Sequence, residues 1–389
     1  MKQIKLLTTL LLFSLVLATS CQDNLEKSNA VGPQESSLAA LREKISKAHA
    51  SLPVDVKKNM RQTSQLTLKM HPEYRNIVLK ALNVIEPTPC DGNTPINIWL
   101  DQQLSDWNSE VIGYVLDFAM LDLPTYDALV FENSSSNQYF GTSGQFTQKL
   151  TKGFKDLKRF WNIDSDGIVL AAMHGNMLLN RDRIIRTYVA AFGLDAATAA
   201  VFADIVVELA NQVPQYRKGD HPIFTFNAFA QSGFDFPPYG VIPDKIIMGD
   251  GIMEGFAAIG YGDVAPQAIL AHEFGHHIQF QLNLFPDAQS PEGTRRTELM
   301  ADAYAAYYLS HARGASMQWK RVKQFLSVFF NIGDCSFNSD GHHGTPTQRL
   351  AAAEWAYNLA NNAQKQGHIL TVEQFTALFE QQLPILITK

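Results

Sequence analysis

The sequence predicts an α+β fold that is mainly helical, with a small β-sheet beside the helix that carries His272 and His276, and an all-helical region ahead of both. Three observations predict it. Apolar residues recur at helical spacing through most of the stretch from Leu38 to about residue 215. Aromatic and β-branched residues concentrate in two short segments after Pro214. Two further helical segments then carry His, Glu and Asp at four-residue spacings. With 389 residues, 46% hydrophobic and 18% charged, the chain has the composition of a packed globular protein. A net charge of -6 with both signs interspersed offers no basic stripe, so nucleic acid is excluded as a partner.

Met1-Lys2-Gln3-Ile4-Lys5 precedes a mainly apolar run from Leu6 to Ala18 and then Thr19-Ser20-Cys21. A run of about 13 residues is too short for a bilayer, which takes roughly 20, and a Lys-flanked start followed by small residues is a secretory signal. The expected product is exported. Leu17-Ala18-Thr19-Ser20-Cys21 is similar to a bacterial lipobox, with Cys21 where the lipid would be attached. The alternative is a plain signal peptide with an unmodified cysteine. The expected location is therefore the cell envelope, lipid-anchored at the outer membrane and facing the periplasm or the surface. If Cys21 carries lipid, Cys90 and Cys335 remain, either as one disulfide or as two buried thiols.

Residues 22–37 are polar, with breakers at Ser28, Asn29, Gly32, Pro33, Ser36 and Ser37, as a flexible tether requires. From Leu38 the spacing of Leu41, Ile45 and Ala48 predicts an amphipathic helix, and a second covers about Pro72 to Ile85. Pro87-Thr88-Pro89 breaks the pattern, which resumes from Ile96 to Ala119 and from Phe146 to Trp161 around an exposed loop near Asn133 to Gly144. Helices are also predicted over Asp166 to Leu179, Arg181 to Phe192 and Asp195 to Asn211. This region, 38–215, carries no legible chemistry. Asp164-Ser165-Asp166-Gly167 starts like a calcium loop, but Ile168 stands where the next oxygen ligand belongs. His174 lies in an apolar run without a second ligand at metal spacing and reads as a core histidine.

Residues 216–389 form the second expected unit. Pro222 to Ala230 and Lys245 to Met248 are the two strand candidates. No period of 20 to 50 residues recurs, which argues against a solenoid.

The helix bearing His272-Glu273-Phe274-Gly275-His276 should begin between Asp263 and Pro266 and end before Pro286. His272 and His276 then lie one turn apart on one face, so both imidazoles can reach one ion, while Glu273 flanks that face near a water held by the ion. His277, about 140° around the helix from His272, is expected to pack elsewhere. A second helix has Ser290 as N-cap, Pro291 in its first turn and a run towards Ala312. It places Glu298 and Asp302 on one face. Two histidines, one glutamate and a water make the ligand set of a hydrolytic zinc ion, so Zn2+ is the expected cofactor with Glu298 the third ligand. Asp302 is expected to accept the free ring N–H of His272. Thr345-Pro346-Thr347-Gln348 reads as a capping box starting a helix towards Gly367. Donors for a developing oxyanion are sought among His343, Arg349, Tyr304 and Tyr308.

Three segments in this order, Ala271 to Gln279, Glu298 to Ala305, and Gly341-His342-His343-Gly344-Thr345-Pro346-Thr347-Gln348-Arg349, resemble the bacterial neutral zinc metallopeptidase family. The resemblance spans about Pro237 to Ala360 and includes Pro243 to Met248, where the family has a strand before its active-site helix. It implies a zincin-like metallopeptidase domain and a protein or peptide substrate. It implies nothing about residues 38–215. The expected chemistry is peptide hydrolysis by an activated water with Glu273 as general base. The rivals are a zinc hydrolase acting on a non-protein amide and a non-catalytic metal-containing surface lipoprotein that binds a partner.

Overall fold

The computed structural model describes residues 33–52, 54, 94–285, 290–331, 344–364 and 367–389. The signal segment with Cys21, the helix expected over Pro72 to Ile85, Cys90, Cys335, His342 and His343 lie outside them. Among the described residues no single helix is long and apolar enough to cross a membrane.

The fold is mainly helical with a small sheet. In chain order α1 is Pro33–Ser51, α2 Pro95–Gln103, α3 Ser109–Asp117, α4 Asp122–Phe131 and α5 Thr147–Phe160; then come β1 Val169–Met173, α6 Arg181–Phe192 and α7 Ala196–Gln212. The short strands β2 Ala228–Gln231, β3 Phe234–Asp235, β4 Val241–Ile242 and β5 Lys245–Gly249 follow. The chain closes with α8 Asp250–Ala258, α9 Ala265–Gln281, α10 Pro291–Ser310, α11 Trp319–Asn331, α12 Pro346–Gln364 and α13 Val372–Leu386. Local signals set many of the boundaries. Thr94, Asn108, Asn180, Asp195 and Ser290 each accept a backbone N–H of the helix they precede, which satisfies donors that have no partner inside the helix. Gly193 ends α6 in the left-handed conformation, at φ 66°, which costs glycine little.

Three expectations are corrected. α1 begins at Pro33, so the last five residues assigned to the tether are helical. More consequentially, the region 38–215 is not all-helical, because Asp166 to Leu179 holds β1 and a 3₁₀ turn over Gly175–Leu179 where a helix was expected. Val169-Leu170-Ala171-Ala172-Met173 is a continuous apolar run, and such a run does not distinguish a buried strand from a buried helix. The decision is tertiary. β1 lies parallel to β5, with Ala171 opposite Ile247, and four of its five residues are buried. The strand expected over Pro222 to Ala230 is also shorter: Pro222–Thr225 is a 3₁₀ turn and only Ala228–Gln231 is strand.

The three-stranded sheet has the order β1-β5-β2, with β2 antiparallel to β5 at its edge. β5 is buried at every position and runs straight into α8 at Gly249. A Cβ at Gly249 would stand 2.1 Å from the carbonyl oxygen of Thr225, so only glycine allows that approach. α9 lies between this sheet and α10 and is buried on nearly every side, including Leu270 and Phe274 at 0% exposure. That explains why it lacks the one-sided apolar stripe of a surface helix. His277 sits where expected, away from the His272 face, and its Nε2–H donates to the Lys245 carbonyl at 2.8 Å, tying α9 to β5. Burial holds that imidazole neutral, pushed down to about 4. α10 packs in turn on α12, and α5 covers another side of α9. One hydrophobic core joins residues from Leu41 of α1 to Leu386 of α13.

Candidate metal centre

α9 and α10 form the centre because their backbones come unusually close. A Cβ at Gly275 would stand 3.1 Å from Cα and 3.3 Å from the carbonyl oxygen of Ala301. Those are backbone atoms, which cannot turn aside as a flexible side chain can. Glycine between the two histidines therefore sets how near Glu298 and Asp302 come to them. Gly275→Val is expected to cost about 1–3 kcal/mol by overpacking and, by spreading the three candidate ligands, to weaken any zinc uptake by the same variant. Thermal unfolding of the metal-free protein and a chelator competition would measure the two; a variant of unchanged zinc affinity would break the link.

Three side chains converge at this contact. His272 Nε2 and His276 Nε2 are 3.2 Å apart, and the two Glu298 carboxylate oxygens lie 3.3 Å from the first and 3.4 Å from the second. Donors around a tetrahedral ion at ~2.0–2.1 Å stand roughly 3.3–3.4 Å from one another. Each imidazole nitrogen stands at about that spacing from the other and from its nearer Glu298 oxygen, so His272, His276 and Glu298 could hold an ion.

Each histidine is oriented by a second partner. His272 donates Nδ1–H to Asp302 Oδ1 at 2.8 Å, as expected from the spacing on α10. His276 donates Nδ1–H to Gln279 Oε1 at 2.9 Å, and Gln279 Nε2 donates to the Thr297 carbonyl at 2.6 Å. Acceptors at both Nδ1 atoms leave both Nε2 lone pairs for a metal. Gln279 was given no role by the sequence reading, although its place one turn after His276 was the signal for it.

Electrostatics separates the two imidazoles. Burial opposes a charge on His272, but its hydrogen bonds to Asp302 and Glu298 prevail and push it up to about 10. Burial dominates at His276 and pushes it down to about 4. An ion entering at neutral pH must displace the His272 proton. Glu273 is buried beside the cluster, and burial, against the pull of His272, pushes its carboxyl up to about 7. The Ala230 backbone N–H donates to that carboxylate, so the edge strand β2 borders the site.

The proposed oxyanion donors fare differently. The Tyr304 hydroxyl pairs with Thr376, and its ring packs against Trp161 and Phe375. The Tyr308 hydroxyl donates to the Gly153 carbonyl at 3.4 Å. Both hydroxyls are therefore engaged by partners outside the cluster. His343 lies outside the described residues. Arg349 does reach the centre, chiefly at Asp302, to which it makes two hydrogen bonds of 2.7 Å, with Nη2 3.8 Å from Glu298 Oε2. The capping box is present, with Gln348 N–H on Thr345 Oγ1 at 3.1 Å and Thr345 N–H on Gln348 Oε1 at 3.2 Å. His174 pairs with Asp250 at 2.7 Å and stacks on Tyr139, consistent with a satisfied core histidine.

Comparison with protein-family models, with curated proteins and with solved structures finds no match for the chain. The family resemblance therefore rests on the three motif segments alone.

Proposed function

We propose that this chain is a zinc-dependent peptidase with a zincin-like domain, exported and held at the cell envelope by lipid on Cys21. The observation that carries the reading is the convergence of the His272 and His276 Nε2 atoms, 3.2 Å apart, on the Glu298 carboxylate, one oxygen of which lies 3.3 Å from the first and the other 3.4 Å from the second, with Glu273 buried beside them. The residues fit zinc by donor type, number and spacing. When bound there, zinc would lower the pKa of a coordinated water towards ~7 and polarise a substrate carbonyl.

The chain's own residues supply the remainder. Asp302 and Gln279 fix the tautomer and direction of the two imidazoles. The Ala230 N–H orients Glu273, whose carboxylate takes a proton from the attacking water and returns it to the amine that leaves. A peptide is favoured over another amide by β2. That strand has β5 on one side only among the described residues, and Glu273 lies at Ala230 of its edge. An extended peptide can pair with such an edge through its main chain.

The test is reversible metal removal. Hydrolysis of casein or a peptide library should vanish on dialysis against a chelator and return with about one equivalent of zinc, with new amino termini in the products. Activity that persists in the demetallated protein would overturn the reading.

A further inference from the structure

We propose that Arg349 is a positioning residue for the metal centre, locking the Asp302 carboxylate in the orientation from which it holds His272. The inference rests on the reading of His272, His276 and Glu298 as metal ligands. It assigns to Arg349 a role different from that of an oxyanion donor.

The geometry is a side-on fork. Arg349 Nε donates to Asp302 Oδ2 and Nη2 to Asp302 Oδ1, both at 2.7 Å. Oδ1 also accepts the His272 Nδ1–H at 2.8 Å, so one carboxylate oxygen joins the guanidinium to the imidazole. Nη2 itself lies 3.4 Å from His272 Nδ1 and 3.8 Å from Glu298 Oε2. Asp302 is 0% exposed and Arg349 3%, so water does not compete for these bonds. Without the fork, the carboxylate could turn about its own bonds and the imidazole would follow. Two parallel bonds to a planar group prevent that rotation, whereas a single ammonium contact does not.

The chain around Arg349 is arranged for its delivery. Gly344 takes a positive φ of 93°, and a Cβ there would stand 3.2 Å from Leu299 Cδ2 of α10. The Thr345 capping box then starts α12, whose first turn includes the Arg349 N–H bond to the Thr345 carbonyl at 3.0 Å. Pro346–Gln364 packs along α10, so this first turn is set directly beside Asp302.

Arg349→Lys separates positioning from charge, since lysine keeps the charge and loses the fork. Zinc affinity, measured by chelator competition, should fall about 10–100-fold, the usual loss when an orienting partner is removed. At saturating zinc kcat should fall with KM little changed. The decisive comparison uses Asp302→Asn: in that background Arg349→Lys should add nearly nothing, because Arg349 acts through Asp302. If Arg349→Lys does not fold, Thr345→Ala loosens the same turn and should show a smaller loss that Asp302→Asn again abolishes. Unchanged affinity, or equal losses in both backgrounds, overturns the positioning role alone. A wild-type chain that takes up no zinc overturns both this inference and the reading beneath it.

Discussion

Glu273→Gln is expected to cut peptide hydrolysis by roughly 10²–10⁴-fold while zinc remains bound. The amide keeps an oxygen for the Ala230 N–H and fills the same volume, so the ligand triangle is undisturbed; what disappears is the ability to take a proton. The same variant should change stability in a pH-dependent way. Folding raises the Glu273 carboxyl from the ordinary 4.5 to about 7, so the folded chain binds that proton more tightly than the unfolded one. The cost of burying its charge is thus absent below about 4.5, grows between 4.5 and 7, and is complete above 7. Metal-free Glu273→Gln should therefore be more stable than the parent at pH 8, on the order of 1–3 kcal/mol, with the difference fading by pH 4. Denaturant titrations at both pH values read this directly. Substantial activity in the variant would remove Glu273 from the mechanism, and equal stability at pH 8 would contradict its burial as a charged group.

Glu298→Ala is expected to lower zinc affinity by more than the 10–100-fold that an orienting residue controls, and to abolish hydrolysis at ordinary zinc concentrations. Both its oxygens face imidazole Nε2 atoms, at 3.3 and 3.4 Å, so the substitution removes a whole side of the triangle. It also removes a carboxylate that helps His272 hold its proton. His272 should then titrate at lower pH in the metal-free variant, which imidazole NMR would detect. This second measurement separates a missing ligand from a misfolded chain. A variant that retains parental zinc affinity would show that Glu298 is no ligand.

The motif helix was legible for reasons that are local. Two histidines one turn apart announce one face with Glu273 at its side, Ser290 and Pro291 announce the start of α10, and Thr345 with Gln348 announces the start of α12. That Glu298 and Asp302 share one face of α10 could also be placed, since a spacing of four residues on a helix is a statement about direction. β1 was not legible, because an apolar run such as Val169 to Met173 satisfies a buried helix and a buried strand equally. The Tyr304 and Tyr308 hydroxyl partners, Thr376 and Gly153, lie on other helices and were out of reach of the spacing on α10. Arg349 could not have been assigned, because its partner Asp302 lies on another helix 47 residues away.

The chain alone settled which side chains share a helix face, since 3.6 residues per turn converts spacing into direction without reference to anything else. Tertiary structure decided how near those faces come to one another. Gly275 against Ala301 sets the approach of α9 and α10, and Gly344 against Leu299 brings the start of α12 onto α10. The parallel pairing of β1 with β5 gives the strand beneath α9 its neighbour. Each is a contact between distant segments, whose geometry follows from close packing of the whole core and has no counterpart in the spacing of any one segment.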